Sequence, residues 1–234
     1  PDRFLKKEDI FNNSIINKTK KFILNKEQLQ ALKFLETKNT GFNVSVLQGT
    51  TGSGKTLVYF ERIKKIIKKN YQALVLLPEI FLTNDFKSRF KEYFGFEPAV
   101  WHSKITPKQK RVIWKGVINN NIKILVGARS ALLLPFKKLG IIIVDEEHDS
   151  SYKQDEGVVY NARDMAISRA SFEKIPIHLV TSVPSIETYN NILNKKYRHI
   201  NIHKRFENYP LPKTKIINLN INKIDLAKTI IKII

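Results

Sequence analysis

Two short stretches of the chain hold side chains that could do chemistry together. The first is Gly49-Thr50-Thr51-Gly52-Ser53-Gly54-Lys55-Thr56, a GxxxxGK[ST] pattern between an apolar run at 44–47 and a helical segment. Glycines at these spacings let the backbone curl with its N–H groups turned inward, and the helix N-terminus adds partial positive charge. The phosphates of a nucleotide suit such a loop. Lys55 would reach the β- and γ-phosphates of ATP, and the Thr56 hydroxyl would ligate Mg²⁺. The second stretch, Asp145-Glu146-Glu147-His148, closes the apolar run 141–144. A carboxylate at the carboxyl end of a buried parallel strand, beside a phosphate loop, is where Mg²⁺ is held. Asp145 is therefore the expected metal-side carboxylate and Glu146 the expected base for an attacking water. His148 would sense the γ-phosphate or link the site to a second lobe. Lys55, Asp145, Glu146 and His148 form the expected catalytic set.

The elements that position these residues follow from the hydrophobic pattern. Short β-branched runs at 44–47, 73–77, 122–126, 141–144 and 177–181 read as buried strands, with weaker candidates at 99–101 and 199–202. The clearest helix is 55–69. There Leu57, Val58, Phe60, Ile63, Ile66 and Ile67 make an inner face, and Lys64, Lys65, Lys68 and Lys69 lie outside. Strands alternating with helices predict an α/β fold with a mainly parallel sheet and helices on both faces. The expected organisation is a tail of an upstream region over residues 1–23 and an ATP-binding lobe over 24–204. Residues 205–234 read as a linker around Pro210 and Pro212 and the truncated start of another element. An opening Pro1 and a single methionine, Met165, lead to the expectation of an excerpt from a longer protein.

Composition narrows the class. Among 234 residues, 41 Lys and Arg face 21 Asp and Glu, a formal net charge of +20. Such a surplus favours phosphate-rich partners, nucleic acid among them; the alternative is a set of solvated lysine faces with no partner. Hydrophobic residues reach 42%, enough for a core and against intrinsic disorder. No apolar stretch approaches the ~18 residues of a membrane span. The absence of cysteine excludes disulfides, thiolate zinc sites and thiol nucleophiles within the chain. His178, His199 and His203 lie in or beside apolar runs without metal-ligand spacing and read as structural. Trp114 reads as core, and Trp101-His102-Ser103 as a packed ring and a cap, with a DNA contact as the alternative.

An acidic Asp145-Glu146-Glu147-His148 word after a phosphate loop resembles the superfamily-2 helicases. Further words narrow the resemblance: Pro78-Glu79-Ile80 with Leu82-Thr83, Gly127-Ala128-Arg129-Ser130-Ala131-Leu132, and the run Asp149-Ser150-Ser151-Tyr152-Lys153-Gln154, Glu156-Gly157, Tyr160, Ala162-Arg163-Asp164. Together they resemble the first helicase lobe of the primosomal protein N′ (PriA) family of bacterial replication-restart helicases, over about residues 24–217. The resemblance implies a RecA-like P-loop NTPase lobe of an ATP-dependent 3′–5′ DNA helicase. It also implies single-stranded and forked DNA, primosome and single-strand-binding proteins as partners, and a bacterial cytoplasmic setting. The family's zinc is expected elsewhere, since its cysteines are absent from this chain. Gln28, in Leu24-Asn25-Lys26-Glu27-Gln28, matches the glutamine that reads adenine, while Asn25 and Gln28 also have capping-box spacing. Thr83, Arg129 and Ser130 match positions that grip the nucleic-acid backbone, with ordinary capping as the alternative. Tyr152 and Tyr160 fall in a loop that the resemblance links to DNA sensing by base stacking; plain packing is the alternative.

Some words depart from the family. Thr181-Ser182-Val183-Pro184-Ser185 has Val183 where a hydroxyl is usual, and Asn84-Asp85 replaces Pro-Gln. Val158, Val159 and Asn161 replace an aromatic, a basic residue and a histidine. A carboxylate at Asp85 would repel a backbone phosphate. These changes keep a second reading open: a module that binds ATP and DNA without unwinding, or another superfamily-2 nucleic-acid translocase. The arginine that stabilises the transferring phosphoryl belongs to the family's second lobe, so this chain alone is expected to bind nucleotide and hydrolyse it poorly.

Overall fold

The computed structural model describes residues 22–37 and 41–203. The expectations for the tail before Phe22 and for 205–234 lie outside those residues. The chain alternates helix and strand: α1 (Lys26–Glu36), β1 (Asn43–Gly49), α2 (Lys55–Lys68), β2 (Gln72–Leu76), α3 (Asn84–Phe94), β3 (Ala99–Trp101), α4 (Pro107–Ile118), β4 (Ile124–Gly127), β5 (Leu139–Asp145), a short antiparallel hairpin β6 (Lys153–Gln154) and β7 (Tyr160–Asn161), α5 (Ala162–Phe172), β8 (Pro176–Thr181), α6 (Ile186–Leu193) and β9 (Arg198–Ile202). Seven strands form one sheet in the order β3-β4-β2-β5-β8-β1-β9, and every pairing in it is parallel. Short 3₁₀ turns at Glu79–Phe81, Arg129–Leu133 and Ser150–Tyr152 follow β2, β4 and β5.

The uninterrupted apolar runs form strands because both faces of the sheet are covered. One core joins alternate strand residues such as Leu47, Val75, Ile143 and Val180 to α1, α2 and α3. The other joins Val46, Leu74, Val144 and Leu179 to α4, α5 and the turn at Arg129–Leu133. The first is rich in rings: Phe60 meets Phe86, Phe90, Tyr93 and Phe94 with centroids 5.1–6.1 Å apart, which ties α3 to α2. The inner face of α2 is as expected, but it also buries Tyr59 and Arg62. Trp114 is a correction. It is 46% exposed on α4, whose buried side is carried by the smaller Ile113, Gly116 and Val117.

Register decides which strand ends meet. Asp145 lies level with Val180 and Val180 with Leu47, so the acidic word, the end of β8 and the loop after β1 share the carboxyl edge. Lower in the sheet, His178 lies level with Ile143 and Ser45, and Ser45 with Arg198. His178 is fully buried with neither ring nitrogen hydrogen-bonded, as expected of a structural residue. Burial, then the charges of Arg62 and Arg198, push its pKa down to about 3.

The unfolded chain takes up a proton at His178 near pH ~6.5, whereas the folded chain resists it. Stability from the neutral ring is complete above pH ~6.5 and is lost as pH falls toward about 3. A His178→Leu variant should therefore show a flatter fall of Tm than the parent between pH 7 and 4.5, followed by thermal melting.

Candidate nucleotide site

The phosphate loop bends at two glycines in the left-handed region, Gly52 (φ 82°) and Gly54 (φ 83°), and Gly54 is the N-cap of α2. A side chain at Gly54 would also meet Gln28, whose Nε2 lies 2.3 Å from where a Cβ would stand. Gln28 is wholly buried. Its Oε1 accepts from the Asn25 backbone N–H at 2.9 Å, completing a capping box, and its Nε2 donates to the Ser53 carbonyl at 2.9 Å. The capping alternative is what the structure forms, and with it a brace that holds the loop from behind. Both ends of the Gln28 amide are thus engaged within the lobe.

Lys55 curls over its own loop, donating to the carbonyls of Gly49 at 2.7 Å and Thr50 at 3.4 Å. Its pKa is lowered by burial, against the pull of Glu146 and Asp145. Opposite it, Asp145 is almost fully buried. Its Oδ2 accepts from the Tyr59 hydroxyl at 2.9 Å and its Oδ1 from the Glu146 N–H at 3.0 Å. Burial and then the neighbouring Glu146 push the Asp145 carboxyl up to about 6, despite Tyr59 and Lys55. This is a desolvated acid short of positive charge, and that fits a divalent cation held by Asp145 and Thr56. The Thr56 hydroxyl engages the same Tyr59 oxygen. Sequence reading passed over Tyr59; the signal was a hydroxyl one turn after Lys55 on a helix face that must be buried.

The rest of the acidic word splits by direction. Glu146 lines the cavity with a left-handed backbone (φ 48°), uncommon for a residue with a side chain. His148 Nδ1 lies 2.7 Å from Thr181 Oγ1 and 3.6 Å from Glu146 Oε2. Because the Thr181 hydroxyl donates to the Val183 carbonyl at 2.7 Å, it must accept from His148, which fixes the proton on Nδ1. The link between the two words thus uses Thr181. The side chain of Val183 is 67% exposed and takes no part in it. Glu147 turns the other way, into a closed network. It accepts from the Ser185 N–H (2.8 Å), Thr188 Oγ1 (2.9 Å) and Arg163 Nη1 (3.3 Å). Arg163, in the first turn of α5, also donates to Ser185 Oγ at 2.6 Å. Glu147 and Arg163 stood in the sequence as parts of words only; the pairing needed three dimensions.

The candidate nucleic-acid residues lie apart from the cavity, except Thr83 at its rim. Thr83 caps α3, accepting from the Phe86 N–H at 3.3 Å. Arg129 Nη1 donates to the Lys153 carbonyl at 2.5 Å, and Ser130 Oγ accepts from Trp101 Nε1 at 3.2 Å. Tyr160 is half-buried against the second core. Tyr152 is a correction. It is 1% exposed, and its hydroxyl lies 2.6 Å from the Asp145 carbonyl and 2.9 Å from that of Leu76. It bridges β5 to β2 and offers no face to a base. The loop between β6 and β7 exposes Val158 and Val159 instead. Among the described residues there is no cluster of metal-binding side chains of the His, Cys, Asp and Glu kind, and no helix is long and apolar enough to cross a membrane.

A parallel α/β lobe with a phosphate loop facing an acidic strand end is the architecture of a nucleotide-driven motor. The sequence profile of DEAD/DEAH box helicases matches residues 25–192, and the chain belongs to that family. It is 43% identical over 228 residues to the replication restart protein PriA of Rickettsia felis, covering 97% of this chain and 34% of that one. It is 44% identical over 197 residues to PriA of Haemophilus influenzae, covering 84% and 27%, and 36% identical over 213 residues to PriA of Bacillus subtilis, covering 90% and 26%. The chain thus spans between about a quarter and a third of the length of these relatives. Among solved structures it is similar to RecG bound to a three-way DNA junction (TM-score 0.58, 21% identity, 79% of this chain and 24% of that one). It is also similar to the Hef helicase domain of Pyrococcus furiosus (TM-score 0.54, 16% identity, 85% and 41%). At these identities the structural likeness concerns the fold.

Two variants test the buried polar contacts. Tyr59→Phe leaves the Asp145 oxygen without a donor and should cost about 1–3 kcal/mol in urea unfolding. Arg163→Met strands the buried Glu147 carboxylate and should cost about 3 kcal/mol or more by the same measurement.

Proposed function

We propose that this chain is the ATP-binding motor lobe of an ATP-dependent 3′–5′ DNA helicase that acts in replication restart and primosome assembly at stalled forks. The observation that carries the reading is the meeting of Lys55, Thr56, Asp145 and Glu146 around one cavity of about 570 Å³. Identity above 35% to replication restart proteins supports the biological setting, and the +20 charge supports DNA as the partner.

In this reading Lys55 neutralises the β- and γ-phosphates, and Glu146 takes the proton of a water attacking in line. Bound Mg²⁺, held by Thr56 and Asp145, would supply further charge neutralisation on the same phosphates. His148, with its Nδ1 proton given to Thr181, is the route by which the state of the site reaches the segment 181–185. Arg129 and Ser130 serve as positions on the DNA side, with Thr83 and Tyr160. Single-strand-binding and primosome proteins are the proposed protein partners.

Steady-state hydrolysis by the full-length protein, with and without forked DNA, tests this directly. Forked DNA should stimulate hydrolysis, and Lys55→Ala should lower the stimulated rate by about 10²-fold or more. Lys55-dependent hydrolysis indifferent to DNA would replace the helicase reading with that of a non-unwinding module.

A further inference from the structure

The opposite edge of the sheet, where the strands begin, is basic. It lies about 20 Å from the phosphate loop along β1. There the chain enters β2 through Tyr71, β4 through Lys123 and β5 through Lys138. The Gln72 N–H donates to the Lys138 carbonyl at 2.7 Å and the Ala73 N–H to that of Lys123 at 2.8 Å, which sets Tyr71 between the two lysines. The pattern repeats further along the same edge. Asn43 lies level with Pro176 and Ser45 with Arg198. Phe42, at the entry to β1, therefore stands between the approaches to β8 and β9, where Lys174 and Lys196 are exposed. Tyr71 is 46% exposed and Phe42 42%. Among the described residues Lys138, Lys174 and Lys196 make no ion pair, whereas Glu36 and Glu173 on neighbouring approaches are already paired with Lys65 and Arg169.

Helix C-termini also meet this edge, and their partial negative charge accounts for Lys68 and Lys69 at the end of α2. It does not account for Lys123 and Lys138, which head strands, nor for exposed rings set between cations. Burial and then the charge of Lys138 lower the Lys123 pKa, and Lys123 is pinned by donating to Asn70 Oδ1 at 2.6 Å. Like charges fixed side by side favour an anion between them. We propose that the amino edge is a second nucleic-acid face that binds single-stranded DNA: phosphates lie along Lys123, Lys138, Lys174 and Lys196, and bases stack on Tyr71 and Phe42. From β4 to β9 the edge spans five strand spacings, about 24 Å, which is room for about four nucleotides. A duplex keeps its bases stacked inside and has no use for the rings, so a single strand suits the face better. This face is separate from Thr83, Arg129 and Ser130, which follow the carboxyl ends of β2 and β4. Only the choice of DNA over RNA rests on the helicase reading.

Fluorescence anisotropy of labelled oligo(dT), oligo(U) and duplex DNA with the 234-residue chain tests this. Oligo(dT) should bind best of the three. Changing Lys138→Glu, Lys174→Glu and Lys196→Glu together should weaken it about tenfold or more and flatten its log–log salt slope by about two, with Tm unchanged. Tyr71→Leu and Phe42→Leu should each weaken oligo(dT) about fivefold or more while leaving inorganic polyphosphate within about twofold, because only a base stacks. Unchanged oligo(dT) binding in the triple variant, with loss in Arg129→Ala, would place the strand wholly at the carboxyl edge and overturn the proposal. Ring variants that bind oligo(dT) like the parent would overturn it too. Tighter binding of duplex or of oligo(U) would overturn the assignment to single-stranded DNA. Hydrolysis by the full-length parent that ignores DNA would instead strike the helicase reading and leave the oligo(dT) result standing.

Discussion

The structure turns on a carboxylate at the end of a buried strand. Asp145 closes β5, with β2 and β8 on either side, so its charge has little water to stabilise it. What the lobe supplies instead is the Tyr59 hydroxyl from α2, the N–H of Glu146 and the nearby ammonium of Lys55. The hydroxyl and the ammonium come from elements that must be placed correctly beside the strand end, and they offset part of the cost of burying the charge. The strand end, the first turns of α2 and the loop before it are therefore held in one arrangement by a single electrostatic need.

Around that centre the acidic word divides its labour by alternation of direction. Glu146 and His148 face the cavity side and Thr181, while Glu147 points into the body of the lobe, where three hydrogen-bond donors and the charge of Arg163 receive it. The left-handed backbone at Glu146 makes this split sharper than strand geometry alone would. The residue proposed to handle water thus sits between two anchored neighbours, one of them joined to α5 and α6 through Arg163 and Ser185.

Much of this is legible in the sequence alone. The phosphate loop and acidic strand end were visible because glycine spacing and buried β-branched runs are local signals, and the seven strands of the main sheet follow those runs closely. What escaped were residues whose role is set across the fold. Tyr59 falls outside the inner face that the apolar pattern of α2 marks, yet it is buried there. Tyr152 looked like a loop aromatic, yet its hydroxyl spans carbonyls of β2 and β5. Trp114 looked like core, but α4 buries only a narrow side. Gln28 had two readings from sequence, and only the position of the Ser53 carbonyl decides how its amide is used.

The order of strands also bears on how the lobe comes into being. β1, which carries the phosphate loop, lies between β8 and β9, the two strands made last among the described residues. On a ribosome adding about 5–20 residues per second, the roughly 150 residues from Gly49 to Ile202 take on the order of 10–30 seconds. Until β8 is made both hydrogen-bonding edges of an apolar strand lack their native partners, and for the whole of that time Gly49 lacks the neighbour that walls it in, Ile202. Nucleotide can therefore reward folding of the lobe only once Ile202 has been made. The nascent chain passes through its most association-prone stage with its ligand site still unbuilt.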